Sequence, residues 1–230
     1  MAKRLGIAFT GGEGPDPEQI RRVLGEGDRG LGYEVRGLYP LLVAADSGLM
    51  LAEAAGLRPH WIIGDMDSLD NERLNAYPPE CVIRHAADKD FTDTELALSL
   101  LREKGCDETW VIGGGGGRID HLFGIRELFE GGHYPVRWIT AAEDIYCIDS
   151  GGSAGSSLTF GLEQGSVVSV LILGAGPWKA QSSGLKWPLL PVSWKRGMTG
   201  ISNIAVDTKI EIKAEQGRFM VVLEDAWRQL

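Results

Sequence analysis

The sequence predicts a parallel α/β domain followed by a small antiparallel β-domain of sandwich or barrel type. Three observations predict it. Short apolar runs alternate with amphipathic stretches through the first two-thirds of the 230 residues. The amphipathic stretches stop at glycines, as helices do. Beyond about Ser150 the helical period gives way to strand-like runs.

The apolar runs Leu5–Phe9, Leu41–Ala45, Trp61–Gly64, Val82–Arg84, Thr109–Ile112 and Val136–Thr140 read as strands. Between them Ser47–Ala55 stops at Gly56, Thr92–Lys104 stops at Gly105, and Asp120–Glu130 stops at Gly131. The run Ser150–Ser157 (SGGSAGSS) reads as a flexible linker or a loose turn. It sets expected boundaries of 1–149 for the α/β domain and 150–230 for the β-domain. In the second part Val167–Leu173, Gly184–Trp187, Lys209–Lys213 and Arg218–Leu223 read as strands, with a turn at Gln216-Gly217 and a short helix at Glu224–Gln229.

Composition narrows the partners. The net charge of -9 argues against a general nucleic-acid binder, which needs a basic face. No apolar run reaches the ~20 residues that span a bilayer, so no membrane partner is expected. Three widely spaced cysteines, Cys81, Cys106 and Cys147, show no metal-ligand spacing and fit a reduced, cytoplasmic compartment. Between Asp46 and Asp120 there are 15 acidic against 7 basic residues, a balance of -8 that holds nearly the whole excess. Many of these acids fall at predicted strand ends, which points to a cation site.

The strand Trp61–Gly64 runs into Asp65-Met66-Asp67. Ligands bind beyond the carboxyl ends of parallel strands. Two carboxylates this close repel unless a cation or proton intervenes. Mg²⁺ suits them, since it takes a few carboxylates together with water and substrate phosphates. Asp46, at the end of the preceding strand, reads equally as a helix cap or a metal ligand. In Asp88-Lys89-Asp90-Phe91-Thr92-Asp93-Thr94-Glu95 the Thr92/Glu95 pair is a capping box, which leaves Asp88, Lys89, Asp90 and Asp93 unexplained. Five glycines, Gly113 to Gly117, lie between a strand and a helix and are followed by Arg118, Asp120 and His121. Such a run admits an anion to backbone N–H groups, and Arg118 offers a fork for phosphate. The order of residues fits neither a Walker A loop nor a dinucleotide fingerprint. Thr10-Gly11-Gly12-Glu13-Gly14 is a second, weaker loop of the same kind. His121 alone reads more readily as a packed residue than as a base. Trp187 reads either as core or as a stacking surface.

Taken in order, Asp46-Ser47-Gly48, Gly64-Asp65-Met66-Asp67-Ser68, Asp88-Lys89-Asp90-x-Thr92-Asp93-x-Glu95 and Gly114-x-x-Gly117-Arg118-x-Asp120-His121 resemble the motif series of thiamine pyrophosphokinase. Gly184-Leu185-Lys186-Trp187 and Gly200-Ile201-Ser202-Asn203 are similar to motifs of that family's second domain. The resemblance implies a three-layer α/β domain, a C-terminal β-sandwich and a homodimer with active sites between subunits. It implies diphosphate transfer from ATP to thiamine, giving thiamine diphosphate and AMP. By match, Asp46, Asp65, Asp67 and Asp93 would hold Mg²⁺, and Asp65, Asp67 and Asp93 would be catalytic. Lys89, Asp90, Thr92, Gly114, Gly115, Gly116, Gly117, Arg118, Asp120 and His121 would meet ATP. Asp93, Trp187, Ser202 and Asn203 would meet thiamine. The stretch from Gly12 to Leu38 is longer than the family norm. A diphosphokinase for another heterocyclic alcohol such as a hydroxymethylpterin, an Asp-x-Asp nucleotide-sugar transferase and a non-catalytic ligand sensor are the rival readings.

Overall fold

The computed structural model describes residues 4–25, 35, 39–86, 88, 90–152 and 154–224. Lys89, most of the Gly25–Leu38 stretch and the Glu224–Gln229 helix beyond its first residue lie outside them. The chain forms two compact units, Met1–Leu128 with Ile139–Ala141, and Phe129–Trp138 with Ala142–Leu230.

The first unit contains β1 (Leu5–Thr10), α1 (Pro17–Leu24), β2 (Leu41–Ala45), α2 (Gly48–Ala54), β3 (Trp61–Gly64), α3 (Asn71–Asn75), β4 (Val82–Arg84), α4 (Asp93–Glu103), β5 (Glu108–Gly113) and α5 (Ile119–Leu128). The strands lie in the order β5-β1-β2-β3-β4 and every pairing is parallel. β1 and β2 are buried along their whole length, which is why they read as unbroken apolar runs. The chain lays β1 to β4 outward to one edge, then returns to set β5 on the other side of β1. That reversal opens a crevice at the carboxyl ends of β1 and β5, where open α/β sheets bind ligands.

Close approaches fix the helices to this sheet. A Cβ on Gly48 would stand 2.2 Å from the Phe9 carbonyl oxygen, so only glycine lets α2 begin against the end of β1. A Cβ on Gly6 would meet Leu101 Cδ2 at 2.8 Å, where α4 packs on β1. α4 buries Ala97, Leu98, Leu100 and Leu101 and starts on a complete Thr92/Glu95 capping box. α1 and α3 were not foreseen. α1 carries its own signal, a capping box of Asp16 and Gln19 with proline at the first turn.

The second unit holds β6 (Arg137–Ile139, its last residue grouped with the first unit), β7 (Glu143–Asp149), β8 (Ser157–Gly161), β9 (Val167–Leu173), β10 (Lys179–Ser183), β11 (Thr199–Ile204), β12 (Lys209–Gln216) and β13 (Arg218–Glu224). Antiparallel pairs β7-β13, β13-β9 and β9-β11 make one sheet, and β10-β12-β8 makes another. Alternate residues of both sheets share one core: Ile148, Val168, Val170, Phe219 and Val221 with Ile210, Ile212 and Ala214. Trp194 meets Phe219 edge-on at 5.5 Å. Two sheets facing across one core make a sandwich rather than a barrel.

Three expectations change. The break between units falls before Ser150, because β7 pairs with β13 along its length. Gly184–Trp187 is not a strand: Leu185 makes a single bridge to Ala205, and the paired segment is Lys179–Ser183. α5 ends at Leu128 rather than at Glu130.

Candidate active site

The crevice of the first unit is a cleft of about 590 Å³, within the usual range for small-molecule sites. Its lining comes from the ends of β1 (Thr10 to Gly12), β2 (Ala45 to Ser47), β3 (Asp65) and β5 (Gly114), from the start of α4 (Phe91 to Thr94), and from α5.

Two strand ends and one helix start deliver acids to it. Asp46 turns out of β2 with φ 45°, and its N–H donates to Ile63 O at 2.9 Å. Its side chain does not cap α2. Oδ2 accepts from the Ser68 hydroxyl, and Oδ1 is buried with no hydrogen-bond partner. Asp65 and Asp67 form an Asx turn in which the Asp67 N–H donates to Asp65 Oδ1 at 3.2 Å. One ligand atom from each of Asp46, Asp65 and Asp67 lies within 4.8 Å of the others. The charge of Asp65 holds the Asp67 carboxyl above its usual range, and desolvation and the charges of Asp46 and Asp93 add to this. Asp93 comes from the first turn of α4. Its Cγ lies 3.2 Å from where a Gly64 Cβ would stand, and Asp46 Cβ lies at the same distance. Gly64 has φ 150° and keeps the floor between these carboxylates clear.

The two glycine loops are tied together. Glu13 N donates to Gly115 O at 2.7 Å, and Gly115 N donates to Glu13 O at 2.8 Å. Gly113, Gly114, Gly116 and Gly117 all have positive φ. A Cβ on Gly114 would stand 2.2 Å from Ile125 Cδ1, and one on Gly11 would stand 2.1 Å from Ser47 Oγ. Behind them the Thr10 and Thr94 hydroxyls share a buried 2.7 Å hydrogen bond that joins the end of β1 to α4. Arg118 is exposed and forked onto Asp120, Nε to Oδ1 at 3.1 Å and Nη2 to Oδ2 at 2.5 Å. That pair, chiefly through its hydrogen bonds, lowers the Asp120 carboxyl and raises the Arg118 guanidinium.

Residues 38–130, which carry all these elements except the first loop, match the model of the thiamin pyrophosphokinase catalytic domain. The thiamine pyrophosphokinase of Bacillus subtilis is 34% identical over 97 residues, a stretch that spans 40% of this chain and 45% of that protein. The match in fold runs further. The crystal structure of thiamin pyrophosphokinase from Geobacillus thermodenitrificans superposes with a TM-score of 0.70 at 25% identity, covering 96% of both chains. Yeast thiamin pyrophosphokinase shares the fold at 15% identity, with a TM-score of 0.65 over 100% of this chain and 89% of its own.

The chain is similar to the thiamine pyrophosphokinases, by their catalytic-domain model over residues 38–130 and by their fold over nearly its whole length.

Against the thiamine pyrophosphokinase motifs, the structure gathers Asp46, Asp65, Asp67 and Asp93 around Gly64. Thr92, Gly114, Asp120 and His121 line the same cleft, with Asp67 at its exposed rim. Asp90, Gly116, Gly117 and Arg118 are exposed and outside the lining, and Gly115 is buried and also outside it. Gly115 cannot offer its N–H to an anion while it is bonded to Glu13.

In the second unit Trp187 is 52% exposed beneath the Lys186 ammonium, which lies 4.7 Å from the ring centroid. Ser202 is exposed with φ 59° on the irregular stretch of β11. Asn203 is buried, and its amide accepts from Trp187 N at 3.1 Å and donates to Trp187 O at 2.7 Å. Its partner is therefore the Trp187 backbone, not open solvent. Thr10, Gly11, Gly12, Ser47 and Phe91 were missed or underweighted as site residues. The glycines after β1 and the small Ser47-Gly48 start of α2 were the available signal.

Proposed function

We propose that this chain transfers a diphosphoryl group from ATP to the hydroxyl of thiamine, giving thiamine diphosphate and AMP. The carrying observation is the convergence of Asp46, Asp65, Asp67 and Asp93, distant in sequence, past the carboxyl ends of β2 and β3, in the same cleft as the first of two linked glycine loops. Similarity to the thiamine pyrophosphokinases supports the reaction class.

The acid cluster fits a divalent cation. A buried carboxylate oxygen without a partner is costly, and Asp46 Oδ1 is one. The donors are all oxygens, the set that Mg²⁺ takes. Asp46, Asp65 and Asp67 would hold the ion, with Asp93 facing it across Gly64. When bound, Mg²⁺ supplies charge neutralisation for the phosphates.

The chain's own groups do the rest. Gly114 and the loop after β1 admit the phosphates close to backbone N–H groups. Arg118 is within reach of the phosphates once it leaves Asp120. His121 bounds the ATP side of the cleft, and Thr92 stands where the ATP and acceptor sides meet. Asp93 orients the acceptor hydroxyl and takes its proton. The acceptor oxygen forms a bond to the β-phosphorus, and the bond from that phosphorus to the AMP oxygen breaks. Such transfer depends mainly on positioning and electrostatics. We further propose a homodimer in which Trp187 and Ser202 of the second copy meet the thiamine ring, with Asn203 fixing the Trp187 backbone.

Incubation with ATP, Mg²⁺ and thiamine, followed by chromatography, should yield thiamine diphosphate and AMP in equal amounts. Asp65→Asn and Asp67→Asn should each abolish product while the far-ultraviolet circular dichroism stays unchanged. Formation of ADP, product only from a hydroxymethylpterin, or full activity in both variants would overturn the reading.

A further inference from the structure

We propose that Phe91 is the surface on which the cationic ring of the acceptor stacks. This rests on the reading of the cleft as a thiamine pyrophosphokinase site. Phe91 is 58% exposed, and it lines the cleft that Asp46, Asp65 and Asp93 also line. A large apolar side chain beside carboxylates is left with more than half of its surface open. It gains an occupant when a planar ligand enters.

Position selects which ring that is. Phe91 precedes Thr92, the N-cap of α4, and Asp93 is the first residue of that helix. The acceptor hydroxyl must reach Asp93, and a two-carbon arm joins that hydroxyl to the thiazolium. The ring then falls beside the residue two positions before Asp93. The glycine loops that face the phosphates leave from β1 and β5. The nucleobase has its own apolar wall in Ile125 and Leu128 of α5, with open space beside Gly124. Charge selects in the same direction. A cation over an aromatic face is attracted by the ring quadrupole, and nearby carboxylates reinforce it. A neutral adenine has no such preference.

The test compares wild type with Phe91→Leu and Phe91→Tyr, all with ATP and Mg²⁺. Phe91→Leu keeps an apolar group and removes the π face. It should raise the thiamine KM about tenfold, from a cation–π contact in a partly desolvated site, and leave the ATP KM within about twofold. Phe91→Tyr should restore the thiamine KM. Inhibition by an acceptor analogue with a neutral thiophene in place of the thiazolium should not change in Phe91→Leu. An unchanged thiamine KM in Phe91→Leu, or a rise in the ATP KM instead, overturns the proposal. If wild type forms no thiamine diphosphate, the functional reading fails separately. Calorimetric titration of thiamine then decides the role of Phe91, since an equal Kd for wild type and Phe91→Leu rejects it.

Discussion

Gly64 shows how much one missing side chain arranges. It lies at the end of β3 with φ 150°, a conformation that a side chain resists, and Asp46 and Asp93 close over the place a Cβ would occupy. The contacts would be 3.2 Å to Asp46 Cβ and 3.2 Å to Asp93 Cγ. Gly64→Ala therefore has to push two carboxylates of the cluster apart. Misplacing catalytic groups by about 1 Å costs on the order of 10²-fold. We expect kcat to fall at least tenfold in Gly64→Ala while circular dichroism still reports a folded chain. Wild-type turnover would show that the carboxylates need no such spacing. Asp46 tells the complementary story. Capping and metal binding were equally open for it in the sequence, and its side chain proves to face Ser68 and the cluster instead of the turn of α2.

At the scale of elements, α4 carries the site on its first turn. The Thr92 hydroxyl accepts from the Glu95 N–H at 3.2 Å, and the Glu95 carboxylate accepts from the Thr92 N–H at 2.7 Å. This box fixes where the helix starts and so where Phe91 and Asp93 point. Losing such a cap costs ~1 kcal/mol. For a chain of this size Thr92→Ala should lower the Tm by about 2–4 °C in a thermal melt. Thr92→Ser, which keeps the hydroxyl, should melt near wild type. Equal losses in both variants would mean that the methyl packing of Thr92, and not its cap, holds the helix start. The Thr10–Thr94 hydrogen bond adds a second anchor, tying the same turn to β1.

At the scale of the whole molecule, each unit is held by its own core, and the second adds a charged tie. Arg218 on β13 donates to Asp149 on β7 at 3.0 Å and to the carbonyls of Phe129 and Gly131 at 2.8 and 2.7 Å. Tyr134 donates to the same Asp149 oxygen at 2.9 Å, and its ring lies 3.6 Å under the guanidinium. Burial pushes the Asp149 carboxyl up, but hydrogen bonds from Gly151 N–H, Arg218 and Tyr134 outweigh it and leave the group below its usual range. A carboxyl depressed in the folded state stabilises above its unfolded pKa of about 3.9, and that stabilisation is lost as pH falls through the folded value. Urea midpoints should therefore hold near neutral pH and decline from about pH 4 downward, and Asp149→Asn should flatten this acid decline. An equally steep decline in the variant would place the acid sensitivity elsewhere.

The sequence alone determined the parallel order of strand and helix, the glycine stops and the acids at strand ends, because these follow from local periodicity and backbone preference. β2, β3 and β4 match their apolar runs residue for residue. It determined much less of the sandwich. β8, β10 and β11 are short and carry little unbroken apolar sequence, and only pairing with distant strands makes them strands. Only the tertiary structure decided that β5 returns beside β1, which brings two glycine loops together and leaves Gly115 bonded to Glu13. Only it decided that Asp46 faces the cluster, that Asn203 serves the Trp187 backbone, and that Phe91 lines the cleft. Those facts depend on where a side chain points after remote segments have packed, and local sequence carries no record of that direction.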